Sequence, residues 1–379
     1  MAGGKRTVVI GGGPAGLIAA RELASRGVEV TVVEEHSTIG RPEKCAGLYS
    51  IEGIKKIGVN PSGPYLQNFI RGAVFKSPSG KTFTVEAKGR VAVVTNRERF
   101  DQYLAQQAIK TGAEITLGKR VLKIHREDNT YQVYLSGNKV VEADYVVDAE
   151  GREAAVARAL HPRYHLNGWI PIIQYQVNNH GLDPGMVYLY FKHYLPDFFA
   201  YLVPIDDELG KVGVAASSRI YERARKFMRE EFPKSRILGI MSSSVYTGKP
   251  LEDARLGRVY FVGDAAGHVK ATTGGGVIFG GILAAEAAKE IATGEPHFEK
   301  ALKKTYPELR RIWLLRRLTS RLKPSQLDRL FQAAEDSGLP SFLSDRGNMD
   351  YQALTLARLA FSHVTIKFLA GMLKDIFQT

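Results

Sequence analysis

The chain has 379 residues, 44% apolar and 24% charged, the balance of a globular protein with a large core. Its formal net charge of +13 calls for an acidic counterpart: nucleic acid, anionic lipid or an acidic protein. A single cysteine, Cys45, excludes an internal disulfide and a cysteine-ligated metal cluster; it fits a reducing cytosol, and no metal site is expected.

MAGGKRTVVIGGG passes from polar residues straight into a strand, so no secretory leader is expected. The β-branched run Thr7–Ile10 leads into GGGPAG, then LIAARELASRG with helical apolar spacing, then the strand VEVTVVEE. This is a βαβ unit in about thirty residues. Residues 65–94 alternate apolar and polar around Ser79–Gly80 and predict short antiparallel strands. Arg97–Thr111 predicts a helix, and GAEITLGKRVLKIHRE with YQVYLSGNKVVEADYVVDAEG predicts strand pairs. Strands rich in Tyr, Ile, Val and Phe follow from Trp169 to Ser217, then a buried strand over Arg258–Gly263. The apolar run Thr272–Ala285 ends at Glu286, short of the roughly 20 residues a spanning helix needs. Beyond about residue 296 the chain reads as basic and helical.

Gly11-x-Gly13-x-x-Gly16 opens the first helix directly after a strand. The first glycine suits the tight turn, the second close approach to a pyrophosphate, the third helix–strand packing. Glu34 closes the second strand, eighteen residues after Gly16, where a carboxylate bonds a ribose hydroxyl. Two later strands end in acidic turns, Tyr145-Val-Val-Asp148-Ala-Glu-Gly151 and Arg258-Val-Tyr-Phe-Val-Gly263-Asp264-Ala-Ala-Gly267. Pro196-x-x-Phe199-x-Tyr201-x-Val203-Pro204 predicts a strand between two prolines. Phe199, Tyr201 and Val203 share one face, Ala200 and Leu202 the other.

These segments, with Arg97-x-x-Phe100-Asp101, resemble the glutathione-reductase-type FAD proteins, in the branch of the aromatic hydroxylases and geranylgeranyl reductases. The Pro196–Pro204 segment is similar to the PxxYxWxFP frame of the reductases, and Arg41-Pro-Glu-Lys-Cys45-Ala46-Gly47 to the segment that carries a cysteine beside the flavin in the archaeal ones. The resemblance implies an α/β fold: a Rossmann-type FAD-binding domain (1–64, 92–162 and 250–295), an inserted antiparallel β-rich substrate domain (65–91 and 163–249) and a C-terminal helical region (296–379). It implies FAD held by Gly11, Gly13, Ala15, Gly16, Glu34, Cys45, Ala46, Gly47, Arg97, Val121, Asp148, Gly151, Asp264, Gly275, Gly276 and Val277.

The implied activity is saturation of geranylgeranyl C=C bonds by hydride from reduced flavin. Phe199, Tyr201 and Pro204 would line the prenyl pocket, with Cys45 and Tyr201 as alternative proton-route groups. Read as plain structure, Phe199 and Tyr201 are sheet core and Cys45 is a small buried apolar residue. The reductant is NAD(P)H, a ferredoxin or a deazaflavin. The alternatives are an aromatic-hydroxylase-like monooxygenase and a flavin-bearing lipid-binding or electron-carrier protein. Lys300–Lys323 sets nine cations against the single acid Glu308 with Trp313 and leucines between them, and Ala353–Phe377 repeats the style. Such helices suit an anionic membrane surface, or pack as ordinary amphipathic helices with solvated lysines. The protein is expected in the cytoplasm, peripheral on the inner membrane face. Nucleic acid is not expected, because no recognised module accompanies the charge.

Overall fold

The computed structural model describes residues 5–43, 45–164 and 166–360. Val8, Val9, Ile10, Val32, Val146 and Val147 are buried, as strands covered on both faces require. They build a six-stranded sheet in the order Arg255–Leu256, Val259–Phe261, Tyr145–Asp148, Arg6–Ile10, Glu29–Val33, Glu114–Thr116. All neighbours are parallel except the first pair. Leu17 and Ile18 of the helix Pro14–Ala24 pack with Phe100 and Leu104 of Arg97–Lys110 and Ile278 of Val277–Thr293. Between Glu114–Thr116 and Tyr145–Asp148, a separate antiparallel meander of Val121–Glu127, Thr130–Leu135 and Lys139–Ala143 takes the strands that the sequence paired.

A seven-stranded sheet follows the order Arg236–Tyr246, Trp169–Asn178, Gly210–Ala215, Ala200–Pro204, Met186–Tyr190, Gly72–Lys76, Thr82–Glu86. It is antiparallel except where Gly72–Lys76 meets Met186–Tyr190. Its period-two pattern divides cleanly. Tyr175, Val177, Leu202, Val212 and Val214 pack on Phe227 and Met228 of the helix Ile220–Glu231. Ile172, Gln174, Leu189, Tyr201 and Val203 face the other way, into a cavity. A small fourth sheet joins Leu48–Ser50, Ala92–Thr95 and Leu66–Ile70, so the last of these, expected in the substrate unit, pairs with a strand expected in the cofactor unit.

The strand expected between the two prolines starts only at Ala200, because Pro196–Phe198 forms a turn. The basic segment expected over Lys300–Lys323 is a helix only over His297–Thr319; it stops before Pro324, which opens the helix Pro324–Ser337. Leu339–Arg346 and Gln352–Ala360 follow. The second basic stretch extends past residue 360 and there lies outside the described residues. Phe331 ties these helices to the sheet through Phe83 and Phe191, at ring distances of 5.1 and 5.5 Å. Asp328 accepts from Ser77 Oγ at 2.5 Å and Ser79 N at 3.0 Å. No helix of the described residues is long and apolar enough to cross a membrane.

Candidate active site

The first strand ends in Gly11 at φ +99°, where a Cβ would lie 2.4 Å from Ala149 O; at Gly16 it would lie 2.0 Å from Gly11 O. Only glycine allows the turn, the strand end and the helix to approach this closely. A Cβ on Gly13 would meet nothing within 4 Å, because Gly13, Pro14 and Ala15 border the cavity. The helix that starts there has no side-chain cap, so its first N–H groups are free for an anion. A second helix, Val277–Thr293, also begins uncapped at the same cavity, behind Thr272–Gly276. Two bare helix N-termini on one cavity fit the two anionic groups of a reduced flavin dinucleotide, the pyrophosphate and the flavin ring.

Of the expected cofactor residues, Gly13, Ala15, Cys45, Ala46, Arg97, Gly151, Asp264, Gly275, Gly276 and Val277 line this cavity together. Gly11, Gly16, Glu34, Gly47, Val121 and Asp148 do not. Glu34 turns onto the glycine loop, accepting from Gly12 N at 2.7 Å and His36 N at 2.9 Å, and leaves the wall to Glu35 and His36. Asp148 is fully buried and accepts from Glu150 N at 3.1 Å, shaping the turn whose residues Ala149–Gly151 reach the cavity. Burial, then the neighbouring Glu150, pushes its carboxyl well above the usual range. Val121 is core of the sheet layer. Gly47, at φ +75°, passes so close to Thr95 that a Cβ would meet its carbonyl at 2.2 Å.

Arg97 forms a two-point pair with Asp101, at 3.1 and 2.9 Å. Burial raises the Asp264 carboxyl, and Arg97 opposes that shift. The cavity continues from the glycine loops into a chamber between the seven-stranded sheet and the C-terminal helices; the whole measures about 1150 Å³. Phe199 and Tyr201 line it, and Pro204 does not: its carbonyl accepts from Asn68 Nδ2 at 3.2 Å. The Tyr201 hydroxyl donates to Gln174 Oε1 at 2.7 Å. Burial, then Cys45, holds the phenol well above its ordinary range, so it stays protonated. Its ring lies over Gly213, its cross-strand partner, where a Cβ would fall 2.1 Å from the ring.

Several residues here carry no motif. Lys211, 4% exposed, reaches Glu43 at 2.8 Å, Thr95 O at 3.2 Å and Ala46 O at 3.4 Å, tying the Cys45 loop to the sheet. Tyr49 is buried at the cavity beside Cys45 and Arg97, and its hydroxyl has no partner among the described residues. Lys270 pairs with Asp350 at 2.7 Å, latching the glycine turn to the C-terminal region. The signals available were weak ones, a lysine and a glycine inside an apolar strand, GKVGVA.

The family model for the FAD binding domain matches residues 5–308. The chain belongs to this FAD-binding family. FAD is its cofactor. Among curated relatives of this FAD-binding chain is the digeranylgeranylglycerophospholipid reductase of Methanococcus vannielii, 27% identical over 312 residues, covering 78% of this chain and 79% of the relative. The protein of the same name from Methanocaldococcus jannaschii is 27% identical over 356 residues, covering 87% and 90%. A solved structure described as geranylgeranyl bacteriochlorophyll reductase-like, from Thermoplasma acidophilum, superposes with a TM-score of 0.81 at 22% identity, covering 94% of this chain and 96% of that one. That likeness establishes the fold.

Proposed function

We propose that this FAD-dependent oxidoreductase saturates C=C bonds of geranylgeranyl chains on membrane lipids or a related prenylated molecule. The observation that carries the reading is one continuous cavity: glycine loops at one part, and an apolar chamber walled by Phe191, Phe199, Leu189, Val203 and Phe331 at the other. An isoprenoid chain needs such a wall along its length. The loops at Gly13–Ala15 and Asp264, with Gly275–Val277, would hold the FAD, which when reduced would supply a hydride from N5 to one alkene carbon. The other carbon must gain a proton, so cationic character builds on an unactivated alkene. The ring faces of Tyr201 and Phe199 stabilise that charge. Two alternative groups could hold that proton: Cys45, with Gly47 N donating to its Sγ at 3.4 Å, or the Tyr201 hydroxyl.

In this reading the cofactor unit is 1–64, 92–162 and 250–295, and the substrate sheet closes over it. Electrons reach the flavin from NAD(P)H visiting transiently, a ferredoxin or a deazaflavin. The exposed cations and leucines of His297–Thr319 rest on an anionic membrane surface, from which the prenyl substrate is drawn. The test is an anaerobic single turnover. Flavin reduced with dithionite reoxidises when geranylgeranyl substrate is added, and does so more slowly in Cys45→Ala or Tyr201→Phe. Flavin that stays reduced until oxygen is admitted contradicts the proposal.

A further inference from the structure

Arg316 lines the cavity from the helix His297–Thr319, beside Leu315, Thr319 and Leu322. Its guanidinium lies over the Phe198 ring at 5.1 Å. The other at least partly buried cations on this wall all have a carboxylate partner. Lys192 has Glu231 at 2.5 Å, Arg97 has Asp101 at 2.9 Å, Lys270 has Asp350 at 2.7 Å, and Arg71 has Glu86 at 2.6 Å. Arg316 has none among the described residues. Asp197 bears on it electrostatically but is taken up by Ser217, whose N–H it accepts at 3.1 Å, and by Arg223 at 3.7 Å. Burial pushes the Arg316 guanidinium below its ordinary range. A half-buried cation without a counter-charge is costly, and the cost falls when an anion enters. Guanidinium is the side chain best shaped for phosphate oxygens.

We infer that Arg316 binds the phosphate group of a prenyl substrate, so that the enzyme selects phosphate-bearing prenyl chains over neutral prenols. The inference rests on the prenyl reading of the cavity, which Arg316 and its ring partner Phe198 both line. The shared chemistry is a phosphate oxyanion, borne either by a soluble prenyl diphosphate or by a phospholipid headgroup.

The test is calorimetric binding to the FAD-loaded protein of three probes: geranylgeraniol, geranylgeranyl diphosphate, and digeranylgeranylglyceryl phosphate in neutral detergent micelles. Arg316→Gln is expected to weaken the phosphate probes about tenfold to a hundredfold while leaving geranylgeraniol unchanged. Arg316→Lys should recover part of the loss. An effect on the diphosphate alone assigns the site to the soluble precursor; an effect on the micellar lipid alone assigns it to the headgroup. Each supports the inference. Equal weakening of all three probes would show that Arg316 only packs on Phe198, and no change in either phosphate probe would also overturn the inference. In both cases geranylgeraniol binding to the unmodified protein leaves the prenyl reading standing. If geranylgeraniol and both phosphates fail to bind the unmodified protein, the prenyl reading falls and the inference with it.

Discussion

Tyr201 and Gly213 act as one unit: the ring occupies the space that any side chain at 213 would need. Gly213→Ala therefore forces the ring into the chamber and should cost about 1–3 kcal/mol of stability by overpacking. The double variant Gly213→Ala/Tyr201→Ala should recover most of that loss. Thermal unfolding of the set checks this, and strictly additive losses would contradict it. His268 is a second residue-scale case. It is fully buried with neither ring nitrogen bonded among the described residues, and burial lowers its pKa to about 3. The unfolded chain takes up this proton near 6.5, so the unfolded state binds more protons between about 6.5 and 3. Stability should then fall as pH drops through that window, by up to about 1.4 kcal/mol per pH unit from this group, and be unaffected by it above. His268→Leu should flatten the dependence of the unfolding midpoint on pH between about 6 and 4; an unchanged slope would contradict the assignment.

Among elements, the Cys45 loop depends on a strand it does not belong to. Lys211 holds Glu43 and two carbonyls around that loop, and removing one member of a buried pair leaves the other uncompensated, at roughly 3–5 kcal/mol at most. Lys211→Met should loosen the loop, so that Cys45 is alkylated severalfold faster by iodoacetamide in the folded protein. An unchanged rate would show that the loop is held otherwise. The glycine loop, its strand and its helix are local, their residues consecutive, and they were legible. So was the alternation that points Phe199, Tyr201 and Val203 to one face. Glu34, Asp148 and Val121 sit at the expected elements, but hydrogen bonds and packing aim their side chains away from the cavity wall. Lys211, Gln174 and Asp350 join the site through contacts between segments far apart in sequence, and no spacing records such contacts. The turn over Pro196–Phe198 was hidden because two prolines bound a strand and a turn equally well.

At the scale of the whole molecule, charge and cavity belong together. Leu318 and Leu314 of the basic helix are 66% and 39% exposed, while Ile312 of the same helix is buried and Leu315 lines the chamber. One helix thus presents cations and leucines outward and the chamber wall inward. The protein should co-sediment with vesicles containing anionic lipid at about 0.1 M salt and be released towards 1 M, as screening shortens from about 10 to 3 Å. Equal binding to neutral vesicles would contradict an electrostatic docking face. The central claim is the chemistry within the chamber, and the mass of the product tests it most directly. Incubated anaerobically with the dithionite-reduced protein, a geranylgeranyl lipid should gain two hydrogens for each double bond reduced, one at each alkene carbon. Recovery of the lipid at unchanged mass, from protein with its FAD reduced and the lipid bound, would contradict the account.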